Sequence, residues 1–241
     1  MSFLGRQWGR VERLIPPLHK RRFARRSWSQ EGEDMLLARF FGEQRQGFYV
    51  DIGAHHPYRY SNTQLFYERG WRGINIDAMP GSMRAFRRYR RRDINLEMGV
   101  GAVAGTSPFF VFNEPLLSTF DEPTARERDK PPFRIERVIE VPVRPLARIL
   151  DEHLPGGTAI DLLSVDVEGR DEEVLGSNDW ERYRPRAVLA EAFGEAAEDV
   201  DKLPLATLLG GLGYRFFAKT VNTFLFVDRQ PAATSQKALT R

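Results

Sequence analysis

Residues 48–55 read Phe-Tyr-Val-Asp-Ile-Gly-Ala-His, an apolar run followed by a glycine. This composition is typical of a buried strand that enters a tight turn, because glycine lets the backbone bend sharply and approach a ligand closely. Residues 73–77, Gly-Ile-Asn-Ile-Asp, repeat the pattern, and residues 63–69 between the two runs predict a helix. Strand, helix and strand in this order predict a βαβ unit and therefore a parallel sheet.

The same rhythm continues toward the C-terminus. Further strands are predicted at residues 93–98, 108–112, 138–143, 159–166, 187–191, 214–218 and 223–227, and further helices at 30–41, 82–89, 171–175 and 199–209. The last two strands are close enough in sequence to form an antiparallel hairpin. The chain is therefore expected to be an α/β protein with a largely parallel sheet.

Three segments differ from this core. Residues 1–28 are rich in arginine and predict a basic N-terminal arm, and residues 229–241 predict a polar tail. Residues 113–137 are charged and dotted with proline, which favours a loop or lid on the acceptor side of a site. The main domain is expected to span residues 29–228.

Composition excludes several classes of protein. The 241 residues contain no cysteine, so disulfides, cysteine-ligated zinc and thiol nucleophiles are absent. No apolar run is long enough to span a membrane, and a cytoplasmic protein is expected, at most peripheral at a membrane surface. The net charge is only +3. Arginines nevertheless cluster in residues 6–26 and 84–92, either as solvated helix faces or as patches that attract phosphate or anionic lipid.

Four acids stand at or near the ends of predicted strands: Asp51, Asp77, Asp166 and Glu191. Ligands of open α/β sheets bind outside the carboxyl ends of the strands. The four carboxylates are therefore expected at one ligand-binding edge.

Gly53 and Asp77 together indicate a nucleoside ligand. An acid at the end of the second strand is placed to accept hydrogen bonds from ribose hydroxyls, although a helix N-cap is an alternative role for it. The dinucleotide fingerprint needs three glycines, and Gly53 is the only one present here. This difference argues against a dinucleotide oxidoreductase.

The chain resembles the FkbM methyltransferase family from about Ser29 to Asp228. The resemblance is carried by the order and spacing of short motifs at residues 29–37, 48–57, 61–63, 70–73, 117–120, 165–169 and 174–175. It departs from the family at His55, where asparagine is common, and at Asp77, where glutamate is commoner.

This resemblance implies a Rossmann-like class I methyltransferase fold with a mostly parallel seven-stranded sheet, a C-terminal antiparallel hairpin and helices on both faces. It also implies S-adenosylmethionine as cofactor and a hydroxyl as acceptor. The residues that would then contact the cofactor are Asp51, Gly53 and Ala54 at its methionine end, Asp77 at the ribose, Ala78, Met79, Gly99 and Val100 around the adenine, Gln30, Glu33 and Asp34 from the first helix, and Asp166. For the acids of that helix, capping its N-terminus is an equal alternative.

Methyl transfer to oxygen requires alignment of the acceptor and removal of its proton. Candidate bases are His55, His56, Asp166, Glu168 and Glu191. The last three could also hold Mg²⁺, which would orient the acceptor hydroxyl and lower its pKa.

The sequence thus predicts an O-methyltransferase acting on a sugar or sugar-containing metabolite. The acceptor is expected to be a small molecule or glycan, either phosphorylated or lipid-linked given the arginine patches, and nucleic acid is not expected. A homo-oligomer is compatible with the sequence. The alternative is an inactive nucleoside-binding scaffold or partner protein with the same fold.

Overall fold

The structure, a computed structural model of the chain, describes residues 23–192 and 197–229. The predicted basic arm up to residue 22 and the polar tail from residue 230 lie outside these ranges. Within these ranges the chain has ten strands: β1 Phe48–Ile52, β2 Arg72–Asp77, β3 Ile94–Glu97, β4 Gly99–Val100, β5 Gly105–Phe112, β6 Ile135–Arg144, β7 Leu162–Val165, β8 Ala187–Glu191, β9 Tyr214–Lys219 and β10 Thr223–Asp228.

The described part of the chain has seven α-helices and two short 3₁₀ helices. The α-helices are α1 Glu33–Phe41, α2 Gln64–Glu68, α3 Met83–Tyr89, α4 Glu122–Arg128, α5 Leu146–His153, α6 Asp171–Gly176 and α7 Pro204–Gly211. The 3₁₀ helices span Pro115–Leu117 and Ala197–Lys202.

Seven strands form one sheet in the order β3-β2-β1-β7-β8-β10-β9. The neighbours from β3 through β8 pair in parallel, and β10 is inserted antiparallel between β8 and β9. This arrangement confirms the expected mostly parallel seven-stranded sheet and its C-terminal hairpin.

Both faces of the sheet are covered. Alternate residues of a strand point to opposite faces, so Val50 and Ile52 join one core cluster with residues of α5, α6 and α7. Tyr49 instead joins a second cluster with α1 residues such as Leu37 and with Trp71. The edge where β1, β2, β7 and β8 end therefore belongs to a sheet whose two faces are both packed against helices.

Strands β4, β6 and β5 form a separate three-stranded sheet. The predicted strands at residues 108–112 and 138–143 are here longer than expected and pair antiparallel with each other. The predicted strand at 93–98 ends at Glu97, and the chain then enters the small sheet as β4. Met98 lies at this crossing, where its N–H donates to the Asp77 carbonyl.

Two helix predictions need correction. Helix α1 begins at Glu33, not residue 30, after Gly32 in a left-handed conformation with φ 90°. The predicted helix at 199–209 is two elements, because Pro204 lacks an N–H and starts a new helix at its own position. Helix α5 was not predicted. Among the described residues, no helix is both long and apolar enough to cross a membrane.

Candidate functional site

A cavity of about 440 Å³ opens at the carboxyl ends of the central strands. Its size is in the range of small-molecule sites. Strand ends supply part of its wall, namely Ile52, Ile76, Asp77 and Glu191. The rest comes from the segments that follow β1, β2, β3 and β7, from residues 114–133, and from Gln30, Phe109 and Asn222.

The first wall of the cavity is the bend after β1. Gly53 has φ 79°, and the N–H groups of Gly53 and Ala54 both donate to the Ile76 carbonyl, at 2.9 and 3.1 Å. A Cβ atom at Gly53 would lie 1.7 Å from the backbone oxygen of Asp166. Only glycine fits here, because the end of β1 passes directly against the segment that follows β7.

Asp77 lies at this bend. Its Oδ2 accepts a hydrogen bond from the His55 N–H and its Oδ1 accepts one from the Met79 N–H, both at 2.8 Å. Burial raises the pKa of the Asp77 carboxyl, and the two backbone amides oppose that rise. Helix α3 begins only at Met83, with Ser82 as its N-cap residue. Asp77 is therefore not the N-cap residue of α3, which was the alternative role considered for it from the sequence.

His55 adopts a left-handed conformation with φ 53°. Histidine and asparagine tolerate this conformation better than most residues. A histidine at position 55, where asparagine is common in the family, is therefore compatible with the same backbone bend. Its side chain lines the cavity. Burial lowers the pKa of the His55 imidazole, with further lowering by His56 and Arg59, while Glu114 acts in the opposite direction.

The wall next to this bend carries an acidic cluster. One side-chain oxygen from each of Asp166, Glu168 and Glu191 lies within 4.8 Å of the others. The Asp166 carboxylate faces the open cavity but lies deep in the protein, and burial and the neighbouring carboxylates raise its pKa. Burial and Asp166 also raise the pKa of Glu191, whose Oε2 has no hydrogen-bond partner among the described residues. Three carboxylates at this spacing can donate and accept protons among themselves or ligate a hard cation.

Residues 113–137, predicted as a loop or lid, instead contain the first 3₁₀ helix, α4 and the start of β6, and several of them line the cavity. Arg128 of α4 forms an ion pair with Glu168 at 2.7 Å, and the Thr119 hydroxyl donates to the Glu168 carbonyl. Asp121 caps α4 by accepting from the Thr124 N–H. This segment is thus bound to the acidic wall through Glu168.

Eleven of the predicted site residues line the cavity: Gln30, Gly53, His55, Asp77, Ala78, Met79, Gly99, Val100, Asp166, Glu168 and Glu191. Among the five that do not, Ala54 packs against Met83 and Phe86. Asp51 points to the other face of β1, where its carboxylate accepts from Thr63 Oγ1 at 2.7 Å.

The other three predicted residues outside the lining make local contacts. His56 Nδ1 accepts from the N–H groups of Tyr58 and Arg59, so this nitrogen stabilises the turn. Glu33 accepts from the Glu31 N–H and the Thr220 hydroxyl. The neighbouring Asp34 accepts from Ser27, Trp28 and Ser29. Both acids thus bind other segments, and the N-cap residue of α1 is Gly32, which makes no side-chain cap.

Several lining residues were not predicted as site residues: Tyr60, Ser82, Met98, Phe109, Glu114, Arg128, Phe133, Val167 and Asn222. Most come from the small sheet, from segment 113–137 or from the β9–β10 turn. Two sequence signals pointed to this wall: the charged, proline-containing composition of residues 113–137 and the motif Leu117 to Phe120.

A family model described as the methyltransferase FkbM domain matches residues 51–216. No curated protein matches significantly.

Similar solved structures include a methyltransferase FkbM from Methylobacillus flagellatus KT, with 16% identity and a TM-score of 0.48, covering 76% of this chain and 44% of that one. This chain thus spans less than half the length of that protein. A protein described as a candidate RNA methyltransferase from Pyrococcus horikoshii has 8% identity, a TM-score of 0.41 and coverages of 82% and 83%. The N-terminal domain of human METTL16 has 10% identity, a TM-score of 0.40 and coverages of 82% and 67%.

The family match includes the bend after β1, Asp77 and the acidic cluster, and it extends over more than half of the sequence. The chain belongs to the FkbM methyltransferase domain family.

Proposed function

We propose that this protein is an S-adenosylmethionine-dependent O-methyltransferase that acts on a hydroxyl of a sugar or sugar-containing metabolite. The observation that carries the proposal is the two-sided cavity: Gly53 and Asp77 form one wall, and Asp166, Glu168 and Glu191 form the other. A nucleoside cofactor and a hydroxylated acceptor must bind side by side in one cavity, and each of the two walls would contact one of them.

The first wall fits an adenosyl group. Each Asp77 oxygen accepts one backbone amide, and a carboxylate oxygen retains a further lone pair for a ribose hydroxyl. Ala78 and Met79 pack with Phe109 and Phe120 beside Asp77 and supply apolar surface for a flat base. The negative charge available in the acidic cluster suits a sulfonium.

When bound, S-adenosylmethionine supplies an electrophilic methyl group. Asp77 would hold the ribose, and Gly99 and Val100 would line the adenine edge. Gln30 would cover the site from the segment before α1.

The second wall fits a polyhydroxylated acceptor. Carboxylates of Glu168 and Glu191 accept hydrogen bonds from hydroxyls, and the Arg128 guanidinium and the Asn222 amide add donors on the same side. His55 is the candidate general base, because its lowered pKa keeps the imidazole neutral near pH 7 and able to take the hydroxyl proton. Asp166 and Glu191 would accept the proton only in their ionised forms, which their raised pKa values disfavour.

Mg²⁺ is part of the proposal as a candidate cofactor. Asp166, Glu168 and Glu191 offer the oxygen ligands that it prefers. It would orient the acceptor hydroxyl and stabilise negative charge on it.

Calorimetric titration tests the cofactor. S-adenosylhomocysteine is expected to bind and NAD is not. Asp77→Ala should weaken S-adenosylhomocysteine binding roughly 10- to 100-fold, because hydrogen bonds to a charged group contribute about 1.5–3 kcal/mol. Glu97→Ala is the matched control, since Glu97 pairs with Asp77 at the end of the neighbouring strand but is exposed and outside the cavity lining.

Transfer is then assayed with labelled methyl donor and a set of sugars, sugar phosphates and glycosides, with Mg²⁺ and with chelator. Full activity in chelator removes the magnesium role. Cofactor binding without transfer to any hydroxyl acceptor would support the inactive scaffold, and equal binding of NAD would contradict the cofactor assignment.

A further inference from the structure

An exposed surface of rings and arginines adjoins the cavity beside His55. It consists of Trp28, Tyr58, Tyr60 and Tyr89 with Arg59 and Arg88, and is called here the arginine–aromatic surface. Its residues come from three separate parts of the chain: the segment before α1, the turn after the Gly53 bend, and α3.

The rings of this surface form a continuous series that starts at the cavity. His55 lines the cavity, and its ring centroid lies 6.4 Å from that of His56, which in turn lies 6.1 Å from that of Tyr58. Tyr58 then contacts Tyr89 at 5.3 Å and Trp28 at 5.6 Å between centroids. A ligand that leaves the cavity past His55 would therefore meet aromatic faces.

The guanidinium groups stand over these rings. Arg59 lies 4.8 Å from the centroid of Tyr60, which itself lines the cavity, and Arg88 lies 5.3 Å from that of Tyr89. Tyr60 and Tyr89 are 39% and 44% exposed. Within residues 23–192 and 197–229, neither arginine forms an ion pair with a carboxylate. Stacking on a ring holds the guanidinium while its N–H donors stay available.

Further positive charge surrounds the same surface. Arg26 lies 3.5 Å from the Trp28 centroid. Arg84 and Arg87 of α3 are exposed and, within the described ranges, also form no ion pair. Arg59 acts electrostatically on both His55 and His56, so the positive potential reaches the cavity itself.

We propose that the arginine–aromatic surface binds the phosphate of a phosphorylated sugar acceptor whose hydroxyl enters the cavity. Arginine forks match phosphate oxygens in geometry and charge, and the tyrosine rings offer flat apolar faces to the sugar or to a further group attached to the phosphate. The carboxylates in the cavity bind hydroxyls but repel phosphate, so the phosphate is directed outward onto the arginines. This inference rests on the proposed function and specifies the acceptor class for the same site.

The test is a titration of the full chain, saturated with S-adenosylhomocysteine, with glucose and with glucose 1-phosphate. Glucose 1-phosphate should bind about tenfold more tightly or better, and the gain should shrink as salt rises. The double variant Arg59→Ala/Arg88→Ala should abolish this gain. The matched control Arg72→Ala/Arg215→Ala should keep it, because Arg72 starts β2 at the opposite end of the sheet and Arg215 is an exposed arginine over Phe217.

The outcomes separate this inference from the proposed function. Failure of S-adenosylhomocysteine to bind would contradict the proposed function. Normal cofactor binding with no preference for the phosphorylated sugar, or a preference that survives in Arg59→Ala/Arg88→Ala, overturns only the inference. It is also overturned if the surface instead binds vesicles of equal parts phosphatidylcholine and phosphatidylglycerol, or a short single-stranded RNA, more tightly than glucose 1-phosphate.

Discussion

His55 combines a backbone role with a side-chain role. Its N–H holds Asp77 at the bend, while its imidazole lines the cavity. The sequence allowed both histidines of the pair as bases, because spacing alone does not say which ring faces a ligand. The structure distinguishes them, since His56 Nδ1 accepts two backbone N–H groups of its own turn.

The environment of His55 makes its titration a direct test at the scale of one residue. Burial, His56 and Arg59 all disfavour the charged imidazole, so its NMR titration midpoint should lie below the ordinary 6.5. Arg59→Gln should raise the midpoint, because one nearby positive charge is removed. Arg215→Gln should leave it unchanged, and loss of the signal in His55→Gln assigns it.

The sign of the linked stability effect follows from the same shift. The folded state binds this proton less tightly than the unfolded chain, so acidification below about pH 6.5 lowers the free energy of unfolding. A His55 titration midpoint above 6.5, or one that does not change in Arg59→Gln, would contradict the electrostatic account of this site.

Among the elements, β1 and β7 depend most closely on each other. The end of β1 bends at Gly53 against the backbone of Asp166, which follows β7. Gly53→Ala forces a Cβ into that backbone at a positive φ, so the strand ends must separate. The free energy of unfolding should fall by about 2 kcal/mol or more, and S-adenosylhomocysteine binding should be lost.

Chemical denaturation and calorimetry measure both effects of Gly53→Ala. Gly156→Ala is the control, since nothing lies within 4 Å of a Cβ built there. A folded Gly53→Ala protein with wild-type cofactor affinity would show that the bend does not shape the site.

Strand periodicity predicted most of the strands and helices of the main sheet. The positions of one glycine and three acids predicted four residues of the cavity's two walls, Gly53, Asp77, Asp166 and Glu191. Residues at strand ends converge because the sheet is parallel, so local patterns suffice there. Arg128, Glu114 and Asn222 reach the cavity through loop and small-sheet geometry, which depends on long-range pairing such as β5 with β6. No local pattern encodes that pairing. Asp51 does not line the cavity, because successive residues of a strand point to opposite faces of the sheet and its neighbour Ile52 lies on the cavity side.

At the scale of the whole molecule, one buried cation joins parts that are distant in sequence. Arg90 is fully buried at the end of α3 and forms an ion pair with Asp93 at 2.9 Å. It also donates to the Tyr49 hydroxyl of β1, to Thr63 and to Gln64 of α2. Asp51 is connected to the same network through Thr63. The half of the sheet that carries the bend is thus tied to its covering helices by polar contacts as well as by the apolar core.

Arg90→Met tests how much the fold depends on this network. The variant keeps much of the side-chain volume but leaves the Asp93 carboxylate buried without its cation, so the free energy of unfolding should fall by about 3–5 kcal/mol. Arg91→Met, one residue further at an exposed position, should change it by less than about 0.5 kcal/mol. Urea denaturation followed by circular dichroism compares the two variants with wild type. A loss in Arg90→Met no larger than that in Arg91→Met would mean that the apolar core alone carries this half of the sheet.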